Sequence, residues 1–206
     1  RILVAKNDVV SQTISTVSLM PPGLTAPLRK DELADLVSFL SSIGKEGDYK
    51  VSSKAMVRTF RYLDDQDKSR AFADIVRHKP IEHVATNDPR FLWLPAYARV
   101  DGALPLGDVP YIRRAGQQLY CYLRFELDVK SAGIIGLQFN DAKGIRLWNG
   151  QDEVKGVEVK TLVDVAAGKQ TFTLAAFRYD EADRDLSVEV VDVPGSSAQA
   201  QVVNGK

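Results

Sequence analysis

Apolar residues recur along this chain with two different periods. Leu33, Leu36, Val37, Leu40 and Ile43 fall at i, i+3, i+4, i+7 and i+10, which places them on one face of a helix. Asp31 and Glu32 stand near the N-terminal end, where the helix dipole favours negative charge, and Gly44 follows the last apolar position as a C′ glycine would. The pattern predicts a helix over 30–43. Farther along, the period drops to two. Leu119, Cys121, Leu123, Phe125 and Leu127 alternate with polar Gln118, Arg124, Glu126 and Asp128, the pattern of a half-buried antiparallel strand over 117–128. Comparable runs follow at 132–139, 144–148, 157–163, 170–179, 185–193 and 199–203, separated by turn-forming residues, of which Asn149-Gly150 is the strongest hairpin signal. Short strands with almost no helix periodicity between them predict an antiparallel β-sandwich rather than a βαβ sheet.

Three regions follow from this pattern. Residues 1–48 hold a strand-like opening, an irregular stretch around Pro21-Pro22-Gly23 and the helix. Residues 49–115 read as a mixed connecting region packed on the sandwich: a strand over 55–63, a helix over 64–77 with apolar Phe72, Ile75 and Val76, and aromatic-rich extended chain around Trp93. Residues 116–206 are the sandwich. The expected class is α+β, mainly β, with a short helical N-terminal segment.

Composition narrows the function classes. Of 206 residues, 45% are hydrophobic, enough for a real core, and 26% are charged, so wholesale disorder is excluded. Lys+Arg and Asp+Glu both total 27. Without excess cations the chain lacks the electrostatic term that dominates nucleic-acid binding, and a nucleic-acid partner is not expected. With Cys121 as its one cysteine, the chain cannot close an internal disulfide, build a multi-cysteine zinc site or hold a haem through two thioethers. No apolar run approaches the roughly 18–20 residues of a membrane span. The opening Arg1-Ile2-Leu3-Val4-Ala5 is strand-like and lacks a starting Met, which fits a chain cut from something longer.

Few residues carry obvious chemistry. Met20 lies on the Pro-Pro-Gly segment ahead of the helix, where a thioether can serve as a soft axial ligand to haem iron or simply fill a gap in packing. His78 and His83 are separated by Lys79-Pro80 at a spacing that helical metal pairs do not use, so they read as surface histidines. The chain has no nucleophile elbow, P-loop, dinucleotide fingerprint or His-Glu-x-x-His. Asp64-Asp65 and the acidic stretch Asp180, Asp183 and Asp185 offer paired carboxylates but stand in turn-like surroundings. By its strand's alternation Cys121 points inward, as a small buried hydrophobe. Asn140, Asp141, Trp148 and Asn149 bring amide, carboxylate and aromatic groups within ten residues, the mixture a sugar-binding site needs; the same residues also suit a turn beside a core tryptophan.

Two resemblances add to this reading. Ser18-Leu-Met-Pro-Pro-Gly-Leu24, then Lys30-Asp-Glu-Leu-Ala-Asp-Leu-Val-Ser-Phe-Leu40 and Gly44-Lys-Glu-Gly47, resembles the end of the haem-binding domain of PVC-type CxxCH proteins, large secreted bacterial proteins often labelled sorbosone-type or membrane-bound dehydrogenases. The resemblance implies that residues 1–48 are the C-terminal remnant of a cytochrome-c-like domain, that Met20 is an axial ligand in the parent protein, and that haem c and dehydrogenase domains precede Arg1. The order Phe139-Asn-Asp141, Gly144-Ile-Arg-Leu-Trp148-Asn-Gly150 and Ala167-Gly-Lys-Gln170 is similar to the protective-antigen-type β-sandwich of carbohydrate-active proteins, with Asn149 where that family has aspartate and Gln170 where it has histidine. These resemblances imply a non-catalytic region of a periplasmic or extracellular haem protein, whose sandwich binds polysaccharide or docks a partner domain. A purely structural module and, more remotely, a glycoside hydrolase are the alternatives.

Overall fold

The computed structural model describes residues 29–42, 54–64, 75–76, 78–114, 116, 118–178 and 184–203. The chain divides into two compact units, Arg1–Ile43 and Gly44–Lys206. The architecture is mixed α+β, dominated by antiparallel sheets.

In the first unit the described element is α1, Lys30–Ser42, 13 residues long. Its start is fastened locally: the Glu32 carboxylate accepts a hydrogen bond from the Arg29 backbone N–H at 2.8 Å, half of a capping box, and the Arg29 guanidinium pairs with Asp31. The apolar stripe is present as the spacing predicts, yet no residue of α1 is buried; Val37 and Leu40 are each 57% exposed. Met20 and the Pro-Pro-Gly segment lie outside the described residues, as do most of the expected 64–77 helix and the acidic positions Asp65, Asp180 and Asp183.

The second unit is organised around one long strand, β5, Leu119–Ser131. Before it come β1, Thr59–Leu63; β2, Trp93–Tyr97; β3, Leu104–Pro105; and β4, Ile112–Arg113. After it come β6, Gly133–Phe139; β7, Ile145–Asn149; β8, Asp152–Val154; β9, Lys160–Val165; β10, Gly168–Phe177; β11, Asp185–Leu186; β12, Val188–Asp192; and β13, Gln199–Val202. One edge of β5 pairs continuously with β10, from Tyr120↔Phe177 to Val129↔Gly168. The other edge is covered piecewise, by β4 at Leu119 and Tyr120, β1 at Leu123 and Arg124, and β13 from Leu127 to Ser131. The large sheet runs β2-β1-β5-β10-β7-β8, with β4 and β13 attached to β5, while β6 lies between β12 and β9 in a three-stranded sheet and β11 pairs with β3. The strands β1 to β4 thus share sheets with the rest of the unit.

Alternation along β5 sorts its side chains onto two faces, the odd one buried from Cys121 to Val129 and the even one buried at Tyr122 and open to solvent at Asp128 and Lys130. Cys121, Leu123, Phe125, Leu127 and Val129 join Phe172 and Leu174 of β10, Leu147 of β7, and Ile135, Leu137, Val163 and Val188 of the three-stranded sheet in one cluster. The even positions turn the other way. Tyr122 meets Leu63, Trp148 and Ala175 together with Ile81, Val84, Ala85 and Phe91, carried by a 3-10 helix at Ile81–Ala85 and the chain after it.

Two boundaries differ from expectation for local reasons. The hairpin signalled by Asn149-Gly150 forms between β7 and β8, but Asn149 pairs with Asp152, so the two turn residues are Gly150 and Gln151, and Gly150 supplies the positive φ of 58°. The strand expected over 185–193 is divided at Ser187. The Asn140 side chain accepts from the Ser187 N–H at 2.8 Å and donates to the Asp185 carbonyl at 2.9 Å, and this bracket lets β11 turn to β3 while β12 pairs with β6.

Candidate functional site

The four residues expected to contact sugar are not brought together. Asn140 is engaged as the bracket just described, and Asp141 makes its own turn, accepting from the Lys143 N–H at 2.9 Å and pairing with Arg184 at 3.0 Å. Asn149 stands at the opposite end of β7, about 13 Å away for a five-residue strand. Trp148 corrects the expectation outright as an exposed stacking face: it is 0% exposed, packed in the second cluster, because alternation along β7 turns it onto the buried side of the sheet. A ring without surface cannot receive a pyranose.

Asn149 does line a depression. Its neighbours there are Gly150, Gln151 and Asp152 of the β7–β8 hairpin, Asp164 at the end of β9, and Lys169, Gln170 and Thr171 at the start of β10, around a groove of about 750 Å³. The Asn149 Oδ1 is shielded from solvent and has no hydrogen-bond partner among the described residues. Such an orphaned acceptor is rare in folded proteins.

A second, smaller cavity of about 210 Å³ adjoins this groove, sharing Asn87 and Thr171 with it. It opens where the covering of β5 is interrupted: β1 reaches only Arg124, and β13 resumes past Glu126, whose carbonyl accepts from the Val203 N–H at 3.1 Å. Arg61, Trp93, Arg124 and Glu126 line it. The Arg124 guanidinium lies 4.1 Å from the centroid of the Trp93 ring, donates from Nε to Thr173 Oγ1 at 3.0 Å, and donates from Nη2 to the carbonyls of Val84 and Thr86 at 3.0 and 2.7 Å. Burial pushes its pKa down to about 10. Glu126 is matched by Lys169 at 2.8 Å. Sequence reasoning missed this place, because an arginine at a polar position of an alternating strand reads simply as facing water; only the 81–93 segment, folded over the sheet, encloses it.

Other chemistry-bearing residues are tied into structure. His83 Nε2 sits 3.0 Å from Asp88, whose carboxylate also holds Arg90, and the Arg90 guanidinium with these hydrogen bonds keeps the Asp88 carboxyl well below the usual carboxylate range. His78 is exposed. Cys121 is fully buried, and burial raises its thiol to about 12, so it is inert as a nucleophile and unavailable to attach haem. The described residues therefore do not fit a c-type haem. Asp64 is buried at the end of β1, and Asp185 pairs with Arg99 at 3.0 Å. Among the described residues no cluster of three or more His, Cys, Asp or Glu is placed to hold a metal ion. No described helix is long and apolar enough to cross a membrane.

Compared with known proteins, the chain matches no family model and no curated protein.

Proposed function

We propose that Gly44–Lys206 is a non-catalytic antiparallel β-sandwich that binds carbohydrate, carried in a periplasmic or extracellular protein behind a c-type haem domain. The observation that carries the binding role is the groove of about 750 Å³, where amide and carboxylate side chains of Asn149, Asp152, Asp164 and Gln170 gather at one end of the sheets. Sugar hydroxyls need both donors and acceptors, which this set supplies. The sandwich reading rests on the single buried cluster to which both the large and the three-stranded sheet contribute. The place behind a haem domain, with dehydrogenase domains as partners, rests on the resemblance of residues 18–47 alone.

Titration of the chain with neutral and acidic oligosaccharides tests the binding role. Binding that Asn149→Ala weakens at least tenfold is expected; a panel without any signal assigns the unit a purely structural role. A CxxCH in the gene ahead of Arg1 is the corresponding expectation for the haem domain, and its absence would remove Met20 from any axial role.

A further inference from the structure

The small cavity beside the groove has an electrostatic peculiarity. Arg61 of β1 and Arg124 of β5 are direct cross-strand partners, and both line it. Like charges at directly opposed positions are ordinarily disfavoured in a sheet, and here both arginines line one cavity. Among the described residues neither guanidinium has a carboxylate partner. Glu126, the acid in the cavity wall, is already matched by Lys169. Arg124 spends Nε and Nη2 on Thr173, Val84 and Thr86, which leaves Nη1 without a partner, while Arg61 is exposed with all its donors uncommitted to described residues.

We propose that this cavity is an anion subsite that receives the carboxylate of an acidic sugar, held between Arg61 and Arg124 beside the Trp93 ring. A carboxylate matches the planar donor fork of a guanidinium, and one placed between the two would accept charge-assisted hydrogen bonds from Arg124 Nη1 and from Arg61. Size agrees with this division of labour. At about 210 Å³ the cavity falls below the roughly 300–1,000 Å³ of pockets that enclose a whole ligand, so it takes one substituted ring, while the adjoining groove of about 750 Å³, joined to it through Asn87 and Thr171, accommodates the units that follow. The inference deepens the carbohydrate reading by naming the class of sugar, a uronate-containing oligosaccharide, and rests on that reading for the polymer though not for the anion.

The test is calorimetric titration of the full chain with a galacturonic acid trimer, with the neutral galactose trimer and with sodium sulfate, using the parent sequence, Arg61→Gln and Asn149→Ala. Arg61 is exposed and bonds nothing described, so Arg61→Gln keeps the fold, which thermal unfolding checks. The expected result is that the acidic trimer binds, that Arg61→Gln weakens it at least tenfold, that added salt weakens it further, and that the neutral trimer binds at least tenfold less tightly. Equal binding of both trimers, unaffected by Arg61→Gln, overturns the anion subsite and leaves the carbohydrate reading standing. Sulfate binding lost in Arg61→Gln, with neither trimer bound, keeps the anion site and overturns the carbohydrate reading. Absence of any binding overturns both.

Discussion

Both faces of β5 contribute to buried clusters, the odd face from Cys121 to Val129 and the even face at Tyr122, yet they are built on different principles. On the odd face Cys121, Leu123, Phe125 and Leu127 meet mainly side chains of other regular strands, joined by Val57, Leu106 and Val109, and shape is what needs matching; Phe125 stacks on Phe172 with ring centroids 5.1 Å apart and planes 8° off parallel. On the even face the covering is an irregular segment, whose carbonyls have no ladder to enter. Arginines satisfy them. Arg114 donates to the carbonyls of Val76 at 2.6 Å and Lys79 at 2.7 Å, and Arg124 donates to those of Val84 and Thr86. A buried carbonyl left unpaired is costly, so the irregular cover is affordable only with cations reaching up from the sheet beneath it. The difference explains why the cavity with uncommitted guanidinium donors lies on this face and not the other.

The comparison can be broken most forcefully from the odd side. Phe172→Ala removes a fully buried ring that stacks on Phe125, and we expect a loss of about 3–5 kcal/mol in denaturant unfolding, shared by all of 54–203 because both sheets rest on that cluster. A loss confined to part of the unit would show that the two sheets do not depend on one core. On the even side Arg124→Met keeps the length of the side chain but strips the hydrogen bonds to Val84 and Thr86, with an expected cost of about 2–3 kcal/mol. Here the damage should be local: amide exchange quickens at 81–86 while β5 and β10 keep their protection, and uniform exchange across the unit would contradict the clamp.

The mildest effect at neutral pH, and the sharpest discriminator at high pH, comes from neighbours on opposite faces. Burial raises the Cys121 thiol from its ordinary 9.0 to about 12 and the Tyr122 hydroxyl from 10.0 to about 12. The folded state therefore keeps protons that the unfolded chain gives up, so stability is undiminished below pH 9 and falls as pH rises toward 12, by at most about 1.4 kcal/mol per pH unit for each group. Cys121→Ala should flatten the fall from its beginning near pH 9, and Tyr122→Phe only above pH 10. Unfolding midpoints measured against pH that are identical in the two variants would show that neither group titrates as its burial requires.

Much of the architecture was legible because it depends on near neighbours in the chain. Period two along 119–129 names the inward face of β5 regardless of what covers it, and the 3.6 period with Asp31 and Glu32 at its start names α1 to within a residue of its observed end at Ser42. Asn149-Gly150 marks a hairpin, though the pairing of Asn149 with Asp152 moves the turn by one residue. The candidate site was far less legible. Asn140 and Asp141 have turn chemistry whatever else they do, and the aromatic that mattered to the cavity is Trp93, partly exposed on β2, rather than Trp148, whose neighbours Leu63, Tyr122 and Ala175 belong to three other strands.

From its residues alone the chain determined which positions face inward, where turns fall, and which chemistries its single cysteine excludes, since these follow from local periodicity and composition. Only the tertiary structure decided that β1 and β13 part along β5, that Arg61 meets Arg124 there, and that the 81–93 segment closes over the even face. The pairing of strands separated by about sixty residues is set by collective packing of both sheets, so no single segment encodes it.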